Sequence, residues 1–127
     1  MKLAVLRWGY RRAAKAYPFE PVWNRPFFTA AKQAVSIPVF AVGGIRRLDE
    51  IESILGGGEA DMVGIGRPFY AEPELPARLL AGDRGETLCE NSNRCLPAQQ
   101  LGMKAACYNP NVARKRAAMK AATGRSS

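Results

Sequence analysis

The chain reads Val39-Phe40-Ala41-Val42-Gly43-Gly44-Ile45-Arg46 and, about twenty residues later, Ala60-Asp61-Met62-Val63-Gly64-Ile65-Gly66-Arg67. Each stretch is a short, continuous apolar run closed by glycine, the pattern of a strand buried on both faces. Between them Leu48, Ile51, Ile54 and Leu55 fall on one helical face. Asp49 and Glu50 stand in the first turn, where the helix dipole favours acids, and Gly56-Gly57-Gly58 closes the segment. A strand-to-strand spacing of this size is too long for a hairpin and suits a right-handed βαβ crossover. Parallel strands are therefore predicted, and the fold class is α/β.

Working outward, Asn24 is a predicted N-cap and Pro26 an early helical residue of a helix running to about Val35. Phe27, Phe28, Ala31, Ala34 and Val35 give it an apolar stripe. After the second strand, a helix is predicted over roughly 73–80, starting near acids and stopping near Gly82. Residues 89–110 lack a clean period and read as an ordered excursion. From Asn111 onward an Ala-, Lys- and Arg-rich helix frays toward Gly124. In residues 1–23, Ala13, Ala14 and Ala16 suit a short helix that Pro18 and Pro21 stop; the segment is otherwise unassigned.

The two glycine-closed strands define the candidate site. Parallel neighbours place both turns at the carboxyl edge of the sheet, where α/β folds bind ligands. Glycine has no Cβ, so its backbone N–H groups can approach phosphate oxygens, and helix N-termini after each turn add partial positive charge. Gly43, Gly44, Ile45, Gly64 and Gly66 are thus candidate cofactor-binding positions, with Arg67 as a forked, charge-assisted partner. One glycine-closed strand is explained by a tight turn alone; two in tandem, the second followed by Arg67, point to an anion site. Arg46 and Arg47 are read instead as solvated or paired with Glu50.

Composition bounds the alternatives. The 127 residues carry 19 Lys and Arg against 11 Asp and Glu, a formal +8. Five of those basic residues lie in the first fifteen positions, and no acid follows Glu90, so the surplus belongs to the termini. The basic tail has Tyr108 as its only aromatic and offers no stacking platform, so a solvated helix is expected rather than a nucleic-acid contact. No run approaches the ~20 apolar residues of a membrane helix. No cleavable leader is legible near the N-terminus, and three cysteines do not make a disulfide framework; cytoplasm is the expected location.

The order and identity of Ile37-Pro-Val-Phe-Ala-Val-Gly-Gly-Ile-Arg46, Ala60-Asp-Met-Val-Gly-Ile-Gly-Arg-Pro-Phe69 and Pro73-Glu-Leu-Pro76 carry a resemblance. Over roughly residues 24–110 the chain resembles the old yellow enzyme family, most strongly its NADH:flavin oxidoreductase branch related to 2,4-dienoyl-CoA reductase. The resemblance implies the last two βα units of an FMN-binding TIM (β/α)8 barrel, residues 24–88, with a C-terminal extension. The extension comprises a cysteine-containing segment, 89–110, and a basic tail, 111–127. It further implies NAD(P)H as reductant, a small-molecule enone or enoyl thioester as substrate, and the strand-seven and strand-eight turns as the grip on the FMN phosphate. A whole barrel takes about 250 residues, and the family's substrate-binding His pair and proton-donating Tyr precede the matched region. This chain has no histidine, and Tyr10 and Tyr17 carry no signature of a proton donor. No catalytic residue is expected in the chain, which is expected to be inactive alone. The alternatives are a non-catalytic product of a truncated gene and a piece of another phosphate-binding (β/α)8 barrel.

The dienoyl-CoA reductase branch holds a four-iron (4Fe-4S) cluster on C-x2-C-x3-C-x11-C after the barrel. Here Cys89, Cys95 and Cys107 keep the last spacing, but Ser92 replaces the second cysteine and one residue is missing before Cys95. Three thiolates in altered spacing do not match the motif, so neither a cluster nor zinc is expected.

Overall fold

The computed structural model describes residues 18–123 together with Ala4, Val5, Trp8, Gly9, Arg12 and Ala16. Ala13, Ala14 and the tail beyond Thr123 lie outside the described residues. The elements are α1 (Arg25–Ala34), β1 (Phe40–Val42), α2 (Leu48–Gly56), β2 (Met62–Gly64), α3 (Arg67–Ala71), α4 (Leu75–Leu80), α5 (Cys95–Gln100) and α6 (Pro110–Thr123). They fall into two compact units. A sheet unit takes Phe19–Gly66 and Glu74–Thr87; a helical unit takes Arg67–Pro73 and Leu88 onward, with the first eighteen residues.

In the sheet unit β1 and β2 pair in parallel, with Phe40 opposite Met62, Ala41 opposite Val63 and Val42 opposite Gly64. Their connection runs through α2, the βαβ unit that the spacing predicts. Ala41 is fully buried among Phe28 of α1, Ile54 of α2, Ile45 and Ala60, and Val22, Val39, Ile51 and Val63 pack around them. The expected burial on both faces holds on one face only, since Phe40 is 58% and Val42 50% exposed. Both helices contribute their core residues to the Ala41 side, which leaves the other face of a two-stranded sheet uncovered.

Local chemistry explains the element ends. Pro26 occupies the first turn of α1 and Asn24 the N-cap position, both as expected, but the Asn24 side chain makes no capping bond: its Nδ2 donates to Val42 O at 2.7 Å. The side chain is thus committed to the sheet, and helix α1 starts on backbone contacts. At α2 the Glu50 carboxylate reaches back to accept the backbone N–H groups of Arg46 at 2.7 Å and Arg47 at 3.0 Å, satisfying amides that a helix start leaves open. Gly57 N–H donates to Ser53 O at 3.0 Å, and Gly58 turns the chain out with φ +65°.

After β2 the sequence expectation needs correction. A helix begins at Arg67 itself, and the stretch predicted over 73–80 becomes α4, starting only at Leu75. Pro73 and Pro76 lack the N–H a continuous helix would use, which separates α3 from α4. In the helical unit α3 packs against α6. Ala71, Cys89 and Val112 are buried together, with Leu88 and Cys107 packed against them. The excursion over 89–110 contains α5, a two-turn helix that periodicity is too short to announce.

Candidate functional site

The register sets Val42 beside Gly64, so the turn Gly43-Gly44-Ile45 and the turn Ile65-Gly66 leave the same end of the sheet. Gly43 has φ +130° and Gly44 φ +72°, backbone conformations that L side chains rarely adopt. Among the described residues, the amides of Gly44 and Ile45 donate to no acceptor outside the strand ladder. Both N–H groups lie at the carboxyl end of a parallel strand, the edge at which α/β folds bind ligands. Ile45 itself is buried in the core.

The glycines do not all serve one purpose. A Cβ on Gly43 would lie 2.8 Å from Asn24 Cβ and 3.1 Å from Trp23 Cε2. One on Gly44 would lie 2.8 Å from both Glu20 O and Val22 N. The missing side chains therefore make room for residues 20–24, and Val22 N–H donates to Gly44 O at 3.3 Å across that contact. A Cβ on Gly64 would meet Val42 Cγ2 at 2.7 Å, a cross-strand packing constraint. Only Gly66, exposed and with nothing within 4 Å of its would-be Cβ, is open to an approaching group. Of the four candidate glycines, three are explained by packing and one by space.

Trp23, and the bond that Asn24 makes to β1, are what sequence reasoning missed. Trp23 covers the glycine turn and Asn24 ties it to β1, yet neither stands in a pattern that a strand or helix period reveals.

Arg67, joined to Gly66 in the chain, is the first residue of α3 in the helical unit, and its guanidinium donates to the side-chain oxygen of Asn93. The Arg46 and Arg47 side chains meet neighbours other than the expected Glu50, whose carboxylate accepts their backbone N–H groups instead. The Arg46 side chain lies 5.0 Å over the Phe19 ring and 3.2 Å from Glu86, while Arg47 pairs with Asp49 at 2.9 Å. The Arg47 hydrogen bond and charge hold Asp49 below the ordinary carboxylate range.

Cys89 and Cys95 are buried and Cys107 is half-buried, none of them in a disulfide, and the Cys89 Sγ donates to Asn91 Oδ1 at 3.8 Å. Burial pushes the Cys95 thiol up, and the nearby Cys89 and Cys107 add to the rise. Among the described residues no group of three His, Cys, Asp or Glu side chains is arranged to hold a metal ion. No helix among them is long and apolar enough to cross a membrane.

The NADH:flavin oxidoreductase / NADH oxidase family matches residues 1–85, two glycine turns included, and the chain belongs to that family. The match takes in the first 23 residues, which sequence patterns left unassigned. The 4,4'-dithiodibutanoate disulfide reductase of Rhodococcus erythropolis is 31% identical over 99 residues, 78% of this chain and 24% of that protein. A metal reductase of Desulforamulus reducens is 49% identical over 51 residues, 40% of this chain and 8% of that protein. An NADH oxidase of Thermoanaerobacter brockii is 38% identical over 68 residues, 54% of this chain and 10% of that protein. The chain thus spans a quarter or less of the length of these relatives. No solved structure matches it.

Proposed function

We propose that this chain carries the FMN-phosphate grip of an old yellow enzyme-type oxidoreductase, as the last two βα units of its (β/α)8 barrel. The observation that carries the reading is the parallel register of β1 and β2, with Val42 beside Gly64 and a glycine turn following each. The amides of Gly44 and Ile45 at the end of β1 and the open space at Gly66 suit a phosphate group. Arg67 enters by its peptide bond to Gly66 and by its chemistry, a guanidinium that forks onto phosphate oxygens. The uncovered face bearing Phe40, Val42 and Met62 suits the interior of a barrel, where both faces of a parallel strand are covered. When bound, FMN would take hydride from NAD(P)H and deliver it to the activated alkene of an enone or enoyl thioester. The chain's own share is binding: Gly44, Ile45 and Gly66 offer backbone donors, and Trp23 and Asn24 hold the first turn in shape. The dienoyl-CoA reductase-like branch is proposed on Gly66-Arg67-Pro68-Phe69 and Pro73-Glu74-Leu75-Pro76.

Amide chemical shifts of the chain followed during titration with FMN, and separately with riboflavin, test the reading. Shifts at Gly44, Ile45 and Gly66 with FMN, absent with the phosphate-free riboflavin, are expected. Unmoved glycine amides at millimolar FMN would rule the grip out.

A further inference from the structure

Residues 22–24 form a strap across the first glycine turn. Val22 packs against the core of the sheet unit and its N–H donates to Gly44 O at 3.3 Å, while Asn24 Nδ2 donates to Val42 O at 2.7 Å. Trp23 is thus held between a bond to either end of the turn. Val22 has φ +48°, a left-handed conformation that is an outlier for a β-branched residue, and such outliers cluster at ligand sites. The indole lies along the turn. Its Cδ1 is 3.0 Å from the position a Cβ would take on Gly44, and its Cε2 and Cζ2 are 3.1 and 3.2 Å from that of Gly43. Nε1 is bonded to both Cδ1 and Cε2, so the N–H of the ring stands between the two contacts. Trp23 is 53% exposed, and a solute can reach it.

We propose that Trp23 is a further binding residue of the anion site, its indole N–H donating to an oxygen of the phosphate monoester held at the glycine turns. The indole nitrogen is a donor only, and phosphate brings oxygens that accept, so the two are matched in chemistry and the bond is charge-assisted. The apolar body of the ring lies against Gly43 and Gly44, and a hydrogen bond made beside it is weakened less by water than one in open solvent. Glycine at both positions is what lets the indole lie this close, since a Cβ on either would meet it. The assignment rests on the phosphate grip proposed above, to which it adds a side-chain donor from within the same compact unit.

The test follows the indole N–H resonances of the full chain, which has two tryptophans, during separate titrations with FMN, inorganic phosphate and riboflavin. Trp23→Phe keeps an aromatic ring and removes the donor, so the resonance it loses is that of Trp23. That resonance is expected to move downfield with FMN and with inorganic phosphate, together with the Gly44 amide, and to stay in place with riboflavin. Trp23→Phe is expected to weaken FMN binding about tenfold, the size of one charge-assisted hydrogen bond, read from the Gly44 and Gly66 amides. A Trp23 indole that stays while the glycine amides move overturns the assignment and leaves the grip standing, as does wild-type affinity in Trp23→Phe. An equal indole shift with riboflavin overturns it too, because the ring would then meet the flavin and not the phosphate. Glycine amides unmoved by FMN remove the grip and the assignment together. Should Trp23→Phe fail to fold, Trp8→Phe identifies the two resonances and the wild-type titration decides alone.

Discussion

At the scale of single residues, two glycines that look alike in the sequence have opposite sensitivities. Gly44 combines φ +72° with a Cβ position 2.8 Å from the backbone atoms Glu20 O and Val22 N. Left-handed backbone alone costs an L residue about 1–2 kcal/mol, and the neighbours here are main chain that cannot rotate away. Gly44→Ala is therefore expected to destabilise the sheet unit by about 2 kcal/mol or more, read as a lower denaturant midpoint at unchanged slope. Gly66 has open space and no positive φ, so Gly66→Ala should leave the midpoint within about 0.5 kcal/mol. The same substitution puts a methyl where the phosphate would approach, and FMN-induced amide shifts should weaken severalfold. A large stability loss in Gly66→Ala would remove the distinction. The glycines themselves were legible as turns. Their division into packing glycines and an open one was not, because Trp23 reaches Gly43 from a segment without period.

At the scale of elements, the βαβ unit was legible because its apolar runs, crossover length and glycine stops agree with one another. What fixes α1 against that unit was less visible. Arg25 donates through Nε to Glu59 at 2.7 Å and through Nη2 to Ser53 at 2.9 Å, and Thr29 donates to Glu59 at 3.2 Å. Lys32 pairs with Asp61 at 2.7 Å, and Asp61 also accepts Val39 N–H at 2.7 Å. These pairs join residues 22 to 34 apart, a separation that no local pattern encodes. The Lys32 hydrogen bond, then the Val39 amide, hold Asp61 below the ordinary carboxylate range. Arg25 does the same for Glu59, with help from Thr29. A carboxylate depressed in the folded state stabilises above its unfolded pKa and loses that contribution as pH falls through the folded value. Thermal unfolding should thus shift to lower temperature on acidification below the ordinary carboxylate range, and Asp61→Asn should flatten that acid limb. An acid limb identical in Asp61→Asn and wild type would exclude Asp61 from the linkage. For the Arg25–Glu59 pair, part-exposed on the Arg side, a net contribution of no more than about 1 kcal/mol is expected.

At the scale of the whole molecule, the cofactor grip proposed for this chain is separable from the chemistry proposed for the whole enzyme. The chain spans a quarter of the length of its disulfide-reductase relative, and its sequence has no histidine to polarise a substrate carbonyl. The backbone amides and one arginine proposed for the phosphate give charge-assisted hydrogen bonds worth about 1.5–3 kcal/mol each. Against them stands an association cost of at least about 4 kcal/mol before any ordering of side chains. The costs offset most of these gains, and a phosphate contact alone, without the isoalloxazine, is expected to bind too weakly to survive a column. The 127-residue chain, passed over a gel-filtration column with excess FMN, is therefore expected to emerge without flavin absorbance. Supplied with FMN, NADH and an enone, it should consume NADH no faster than buffer with FMN alone. Co-eluting flavin would mean that this chain holds the isoalloxazine as well as the phosphate, and residues beyond the two glycine turns would then have to be found. Enone-dependent NADH consumption would mean that groups other than histidine polarise the carbonyl and that a proton donor is present in the chain, with the tyrosines the first groups to replace.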